Sequence, residues 1–218
     1  MSTRRHLYGG LVPTIVLFLG CFTIAQGPDQ RKLWNDAYAR LTAENEAFLA
    51  NPFLTKIIDG MPPGRAVDIA MGQGRNAVML ASRGWDVSGF DISDVAIGQA
   101  KVLASQIGVK VNAVVADGNQ FDYGVDHYDL VVAMYVHYLV TDRAKDVVAS
   151  LRRGGLLVVE GFHRDALAGV GHETNELLRV FGRSLTVLHY EDAIGQPDPT
   201  WKQPGKNLRF IRLVARKD

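Results

Sequence analysis

A single cysteine, Cys21, stands in the 218 residues, so no intrachain disulfide can staple the fold. The histidines are scattered, with no H-x-x-x-H pair and no Cys/His cluster, and neither a structural nor a catalytic metal is expected. Charge of one sign is missing too: 24 Lys and Arg against 23 Asp and Glu leave a formal net charge of +1. The basic residues are spread along the chain rather than gathered in a stripe, which argues against nucleic acid as a partner. There is no internal repeat and no low-complexity tract. What the chain does have is length enough for one α/β domain with a substantial core, plus an N-terminal extension.

That extension occupies residues 1–26. Arg4 and Arg5 open it, and an uncharged run follows from Leu7 to Pro28, most apolar at Ile15-Val16-Leu17-Phe18-Leu19. Thr23-Ile24-Ala25 then supplies small residues at a cleavage-like spacing, as in an export signal. Leu19-Gly20-Cys21 loosely matches a bacterial lipoprotein box, and a membrane anchor is a further reading, although Pro13 interrupts the run. Residues 1–26 are thus expected to export the protein or attach it to a membrane. Charge asymmetry would place the rest outside the cell; a cytoplasmic protein is the alternative. Residues 27–218 are expected to form the domain.

The domain is organised around Arg65-Ala66-Val67-Asp68-Ile69-Ala70-Met71-Gly72-Gln73-Gly74-Arg75-Asn76. Val67 and Ile69 suit a buried strand, and Gly72 and Gly74 let backbone approach a ligand. Ala77, Val78, Leu80 and Ala81 then recur as a helical stripe that Gly84 ends. The next strand, Asp86–Asp91, finishes in a carboxylate. This is the outline of a nucleotide-binding βαβ unit. Gly72-x-Gly74-x-x-Ala77 with Asp91 also satisfies the dinucleotide pattern, which leaves an NAD(P)-dependent oxidoreductase as a rival.

Upstream, Leu33, Trp34, Ala37, Tyr38 and Leu41 share a helical face, and a second helix is expected from Ala43 towards Leu49. Asn51-Pro52 reads as an N-cap and first helical position, with Phe53, Leu54, Ile57 and Ile58 facing inward. Downstream, Ser93 caps a helix whose stripe is Ala96, Ala100, Leu103, Ala104 and Ile107, ended by Gly108. Val109–Ala116 reads as a third strand, with Asp117-Gly118-Asn119 at its carboxyl end. The fourth strand runs to Met134 and on into Tyr135-Val136-His137-Tyr138. A helix from Thr141 or Asp142 to Leu151, a strand over Leu156–Glu160 and a helix over Thr174–Phe181 follow. Leu185–Tyr190 and Leu208–Ala215 read as a closing antiparallel pair, joined by a connector with Pro197, Pro199 and Pro204.

Asp68 four residues before Gly72, Asp91, Ala116-Asp117-Gly118 and Tyr128-Asp129-Leu130-Val131-Val132, in that order, resemble the class I S-adenosylmethionine (SAM) methyltransferases. The first motif of that family is D-x-G-x-G-x-G, and its first glycine is Ala70 here. Trp34-Asn35-x-x-Tyr38 and Asn51-Pro52-Phe53-Leu54 resemble the lead-in of small-molecule members similar to tellurite-resistance and thiopurine-type enzymes. The resemblance implies a Rossmann-like, doubly wound, mostly parallel seven-stranded sheet closed by an antiparallel hairpin, with N-terminal helices covering the cofactor. It implies SAM as cofactor and a small-molecule methyl acceptor, or a SAM-binding protein without catalysis. The residues expected to bind the cofactor are Asp68, Ala70, Gly72, Gly74, Asn76, Asp91, Ile92, Asp117, Gly118 and Met134. Asp91 is a bidentate acceptor suited to the ribose diol, and Asp117 can accept from the adenine amine. If Tyr135 and His137 extend the fourth strand, they share a face and are the candidate acid–base pair.

Overall fold

The computed structural model describes residues 28–40, 49–166, 170–198 and 207–218. The expected targeting segment 1–26 lies outside the described residues, as does the second helix up to residue 48. The elements run α1 (Pro28–Arg40), α2 (Pro52–Ile57), β1 (Arg65–Ile69), α3 (Arg75–Ser82), β2 (Asp86–Asp91), α4 (Asp94–Ile107), β3 (Asn112–Val115), β4 (Tyr128–Met134), α5 (His137–Asp142), α6 (Ala144–Ser150), β5 (Leu151–Phe162), α7 (Glu176–Phe181), β6 (Thr186–Gly195) and β7 (Leu208–Arg216).

The seven strands form one sheet in the order β3-β2-β1-β4-β5-β7-β6. From β3 through β5 the pairs are parallel. β7 is the one reversed strand, antiparallel to both β5 and β6, between which it lies. The expected Rossmann-like doubly wound sheet with its closing hairpin is therefore the fold. Because β1 pairs with β2 on one side and β4 on the other, the chain reverses its direction of winding at β1. The crevice at the carboxyl ends of these strands is where open α/β sheets bind ligands.

Alternation along the strands divides the core in two. Leu130, Val132 and Met134 of β4 face a cluster built by α2, α3 and α4 through Leu54, Leu80, Ile97 and Ala100. Val131 and Ala133 face the other cluster, where Val147, Leu177 and Phe181 of α6 and α7 pack. Each fully buried Leu or Phe adds about 1.5–3 kcal/mol of transfer free energy, so the sheet must be covered on both faces to be stable.

Local caps follow the sequence. Asn51 accepts from Leu54 N with Pro52 at the first helical position, Ser93 accepts from Ala96 N, and Gly108 ends α4 in the left-handed region. Some expected boundaries move. β3 shortens to Asn112–Val115, and as an edge strand it leaves Val114 and Val115 largely exposed. Ile107, expected in the α4 stripe, is the last residue of that helix and is 55% exposed. The helix expected from Thr141 breaks into α5 and α6 at Arg143. β5 starts earlier than Leu156: Leu151 already pairs with Tyr128, and Gly154 at φ 82 carries the strand through an irregular stretch. No helix among the described residues is long and apolar enough to cross a membrane.

Candidate active site

The glycine turn leaves β1 with three residues at positive φ: Ala70 (51°), Gly72 (54°) and Gly74 (79°). Two are glycine, for which this region is inexpensive, and Ala70 is an L-residue held in it. Packing fixes the turn. Met71 N donates to Phe90 O at 2.9 Å, and a β-carbon on Gly74 would stand 2.8 Å from that of Ala100.

Asp68, the acid of β1, is buried, and its Oδ2 has no hydrogen-bond partner. Burial raises its pKa to about 7, against the opposing pull of the Arg75 guanidinium and the Ala77 amide. An orphaned buried carboxylate oxygen beside a glycine turn suits a cationic ligand group. Asp91 closes β2. Its Oδ2 accepts from Gly72 N and its Oδ1 from Ser93 N, both at 2.9 Å, so it braces the turn and keeps lone pairs for further donors. Burial also pushes the Asp91 pKa up, opposed by these amides.

The other expected residues gather at the same end of the sheet, in different circumstances. Ile92 is half-buried just past β2, and Met134 is buried at the end of β4. Asn76 is buried, and its Oδ1 accepts from Asn51 N at 2.8 Å, which ties α3 to the start of α2. Asp117 Oδ1 accepts from the backbone and side-chain nitrogens of Asn119, forming the turn after β3. Gly118 is buried, and a β-carbon there would overlap Leu139 of α5.

The strand-extension expectation for Tyr135 and His137 is corrected. β4 ends at Met134, Tyr135 turns at φ 60, and His137 opens α5, so the two do not share a strand face. The Tyr135 hydroxyl donates to Glu160 Oε1 at 2.7 Å and accepts from Asp198 N at 3.0 Å. Burial and the Glu160 charge hold it protonated, far above its ordinary pKa. The His137 pKa falls to about 3, first by burial and then by the neighbouring His172. A conjugate acid that strong is poorly matched to general-base work at neutral pH.

Two features complete the site beyond the expected cofactor-binding residues. The first is a buried polar network beside the turn. Glu160 on β5 accepts from Tyr135, from Asn51 Nδ2 at 2.7 Å and from Arg212 Nε at 2.6 Å. Asp198, 2% exposed, accepts from Asn51 Nδ2 and from Arg75 Nη1, both at 2.8 Å. The network joins β4, β5, β7, the start of α2 and the start of α3. The second is α1, which lies across the turn. Asn35 bridges Ser93 Oγ and Asp94, and Gln99 Nε2 donates to Tyr38 O. The Tyr38 hydroxyl then projects toward Gly72. Burial and the Asp91 charge push its pKa up. Of the expected apolar face of α1, Leu33 and Trp34 are exposed, and Tyr38 points inward. Its i,i+4 spacing from Trp34 indicated a common face, but not which end of that face would reach the turn.

Residues 66–155 match the family model of a methyltransferase domain. Among curated proteins, the C-methyltransferase UbiE of ubiquinone/menaquinone biosynthesis from Geotalea daltonii is 30% identical over 118 residues, 50% of each chain. Hemagglutinin 1 from Eikenella corrodens is 26% identical over 177 residues, 75% of this chain and 58% of that protein. The chain thus spans between half and three-fifths of the length of the curated relatives it matches. Among solved structures, TehB from Haemophilus influenzae superposes with a TM-score of 0.67 at 18% identity, covering 85% of this chain and 67% of its own. The N-methyltransferase NodS from Bradyrhizobium japonicum, solved with S-adenosyl-L-homocysteine (SAH), gives 0.62 at 17% identity, covering 84% and 98%. Motif order, matched domain and sheet topology agree: residues 66–155 match a methyltransferase domain, and the seven-stranded sheet around them has the fold of the SAM-dependent methyltransferase structures.

Proposed function

We propose that this protein transfers a methyl group from SAM to a small-molecule acceptor by in-line displacement. The observation that carries the reading is the unpartnered, buried Asp68 Oδ2 beside the glycine turn, with Asp91 at the end of the next strand. SAM brings an α-ammonium, a ribose diol and an adenine, and its sulfonium supplies an activated methyl. Asp68 suits the ammonium. The turn from Ala70 through Gly72 to Gly74 lets backbone approach the amino-acid tail. Asp91 accepts from the ribose hydroxyls, Ile92 and Met134 wall the ring, and Asp117 with Gly118 meets its polar edge. Asn76 acts at one remove by fixing α3. Tyr38 covers the turn from above. The chain's catalytic contribution is alignment, since a held near-attack geometry replaces a bimolecular encounter.

Tyr135 positions rather than titrates in this reading, because its hydroxyl already serves Glu160 and Asp198 N. Residues 1–26 serve as an export signal or membrane anchor, a reading supported by the uncharged run from Leu7 to Pro28. Calorimetry with SAH and with NAD, followed by a labelled-SAM screen of thiol, hydroxyl, amine and oxyanion acceptors, tests the proposal. Binding of NAD in place of SAH would replace it with the oxidoreductase reading. SAH binding without turnover of any acceptor would leave a SAM-binding protein. Fractionation of the tagged full chain tests the N-terminal role; recovery wholly in the cytosol would refute it.

A further inference from the structure

The sheet has two edges, β3 and β6, and they differ in how they meet solvent. β3 is four residues long, Asn112–Val115, and offers little to a passing strand. β6 runs for ten residues, Thr186–Gly195, and pairs with β7 along its inner side. None of the described strands lies on its outer side, so a row of backbone N–H and C=O groups faces outward there. None of its residues is buried.

The residues that commonly guard an edge are missing. Thr186–Gly195 contains no Lys, no Arg and no Pro. Its two acids, which would repel a second acidic strand, are each compensated from β7. Glu191 Oε2 accepts from Arg212 Nη1 at 3.0 Å, and Asp192 Oδ1 accepts from Arg209 Nε at 2.7 Å. A register shift between Val187 and His189 leaves Leu188 as an extra residue, and from His189 to Gly195 the pairing with β7 is unbroken. Two large apolar side chains stand exposed on this strand, Leu188 at 50% and Ile194 at 73%.

We infer that β6 docks against β6 of a second copy of this chain, antiparallel about a two-fold axis through Glu191, so that the two sheets become one. Spacing decides the register. Leu188 and Ile194 each stand three residues from Glu191, so this axis sets Leu188 of one copy opposite Ile194 of the other, twice. An axis through Tyr190 would instead set Leu188 against Asp192 and Ile194 against Thr186. With the axis at Glu191, His189 falls opposite Ala193 and Tyr190 opposite Asp192, so neither pair opposes like charges. Glu191 meets its own copy on the axis, and the Arg212 guanidinium of each copy compensates it.

Main-chain hydrogen bonds supply the attraction in such strand addition, and the side-chain match supplies the register. Each β6 keeps its own pairing with β7, so neither copy gives up a bond to join. Two identical edges that meet about a two-fold close on each other, which stops association at two copies and leaves neither edge open. β6 is four strands from β1 in the sheet, about 19 Å at the usual strand spacing, so the interface leaves the glycine turn untouched.

The test is crosslinking in the full chain carrying Cys21→Ser, which removes the native cysteine. Directly opposed residues of antiparallel strands have Cα atoms about 4.5–5.5 Å apart, within reach of a disulfide. Glu191→Cys, on the axis, is expected to give a covalent dimer under mild oxidation. Ile194→Cys, about 20 Å from its own copy across the axis, is expected to give none by itself and to crosslink when mixed with Leu188→Cys chains. Sedimentation velocity of the unmodified chain is expected to show a dimer. Ile194→Lys should weaken that dimer about tenfold or more, since it replaces two apolar pairs with charges, while the circular dichroism spectrum stays unchanged. A chain that stays monomeric overturns the inference. So does Ile194→Cys crosslinking to itself as readily as Glu191→Cys, which would show contact without this register. A dimer indifferent to Ile194→Lys would place the interface elsewhere, at residues 1–26 or the β3 edge, and overturn it as well.

Discussion

The hydroxyl oxygen of Tyr38 lies 2.6 Å from the point at which a side chain on Gly72 would begin. The covering helix and the glycine turn are thus fitted to each other, and the bare backbone at Gly72 makes room for the phenol. Gly72 also sits at φ 54, so Gly72→Ala meets both a clash and an unfavourable backbone. It is expected to displace α1 and abolish SAH binding. Tyr38→Ala keeps the turn and removes its cover, and is expected to weaken SAH about tenfold by calorimetry, roughly 1.4 kcal/mol. SAH affinity unchanged in Tyr38→Ala would show that α1 contributes nothing to the site.

Asp68 links ligand affinity to pH. Its folded pKa of about 7 lies above the ordinary carboxylate value, so the ligand-free folded chain holds a proton that the unfolded chain has lost. The ligand-free protein is therefore destabilised by this group as pH rises from about 4 through 7. An ammonium ligand needs the ionised form. SAH affinity is expected to tighten as pH rises to about 7 and then to level, with a proton released on binding at pH 6. Calorimetry in buffers of different ionisation enthalpy measures that proton. Asp68→Asn should remove the pH dependence, lower affinity and raise the melting temperature of the ligand-free protein at pH 8.

His137 has the opposite sign. Its folded pKa is depressed to about 3, while the unfolded imidazole takes up a proton near pH 6.5. Stability from this group is present above about pH 6.5 and is lost as pH falls toward 3, at up to about 1.4 kcal/mol per pH unit. Urea denaturation across pH 4–7 should show a shallower acid loss in His137→Gln than in the unmodified chain. Parallel curves would mean that the ring is not buried neutral.

Ala70 carries strain that a glycine would not. At φ 51 its β-carbon opposes the backbone by about 1–2 kcal/mol, part of which glycine returns through its freer unfolded state. Ala70→Gly is expected to raise stability by at most about 1 kcal/mol and to leave SAH affinity within twofold. A clear fall in melting temperature would show that the methyl is held by packing.

Glu160 anchors the buried network through Tyr135, Asn51 and Arg212. Glu160→Leu leaves Arg212 without its most buried carboxylate, with Glu191 as the remaining partner. The expected loss is about 3–5 kcal/mol in chemical denaturation, the range for breaking a buried pair from one side. A loss under 1 kcal/mol would mean that Glu191 alone satisfies the guanidinium.

The sequence by itself determined the sheet, the glycine turn and the acids around it. These rest on local signals: β-branched runs, glycines where φ is positive, and caps such as Ser93 and Asn51 that bond within a few residues of themselves. It also placed Asp91 at a strand end, which needs no more than the length of a βαβ unit. Tertiary structure alone decided three things. Tyr135 leaves β4 because its hydroxyl is captured by Glu160 and Asp198 N, 25 and 63 residues away, so a two-residue spacing did not become a shared face. His172 meets His137 only because the strand that ends at Phe162 brings the chain back beside α5. The Asp198–Arg75 pair spans 123 residues, and nothing near either residue foretells the other. Burial, charge pairing and protonation depend on what folding brings from far along the chain, and a local pattern carries no record of that.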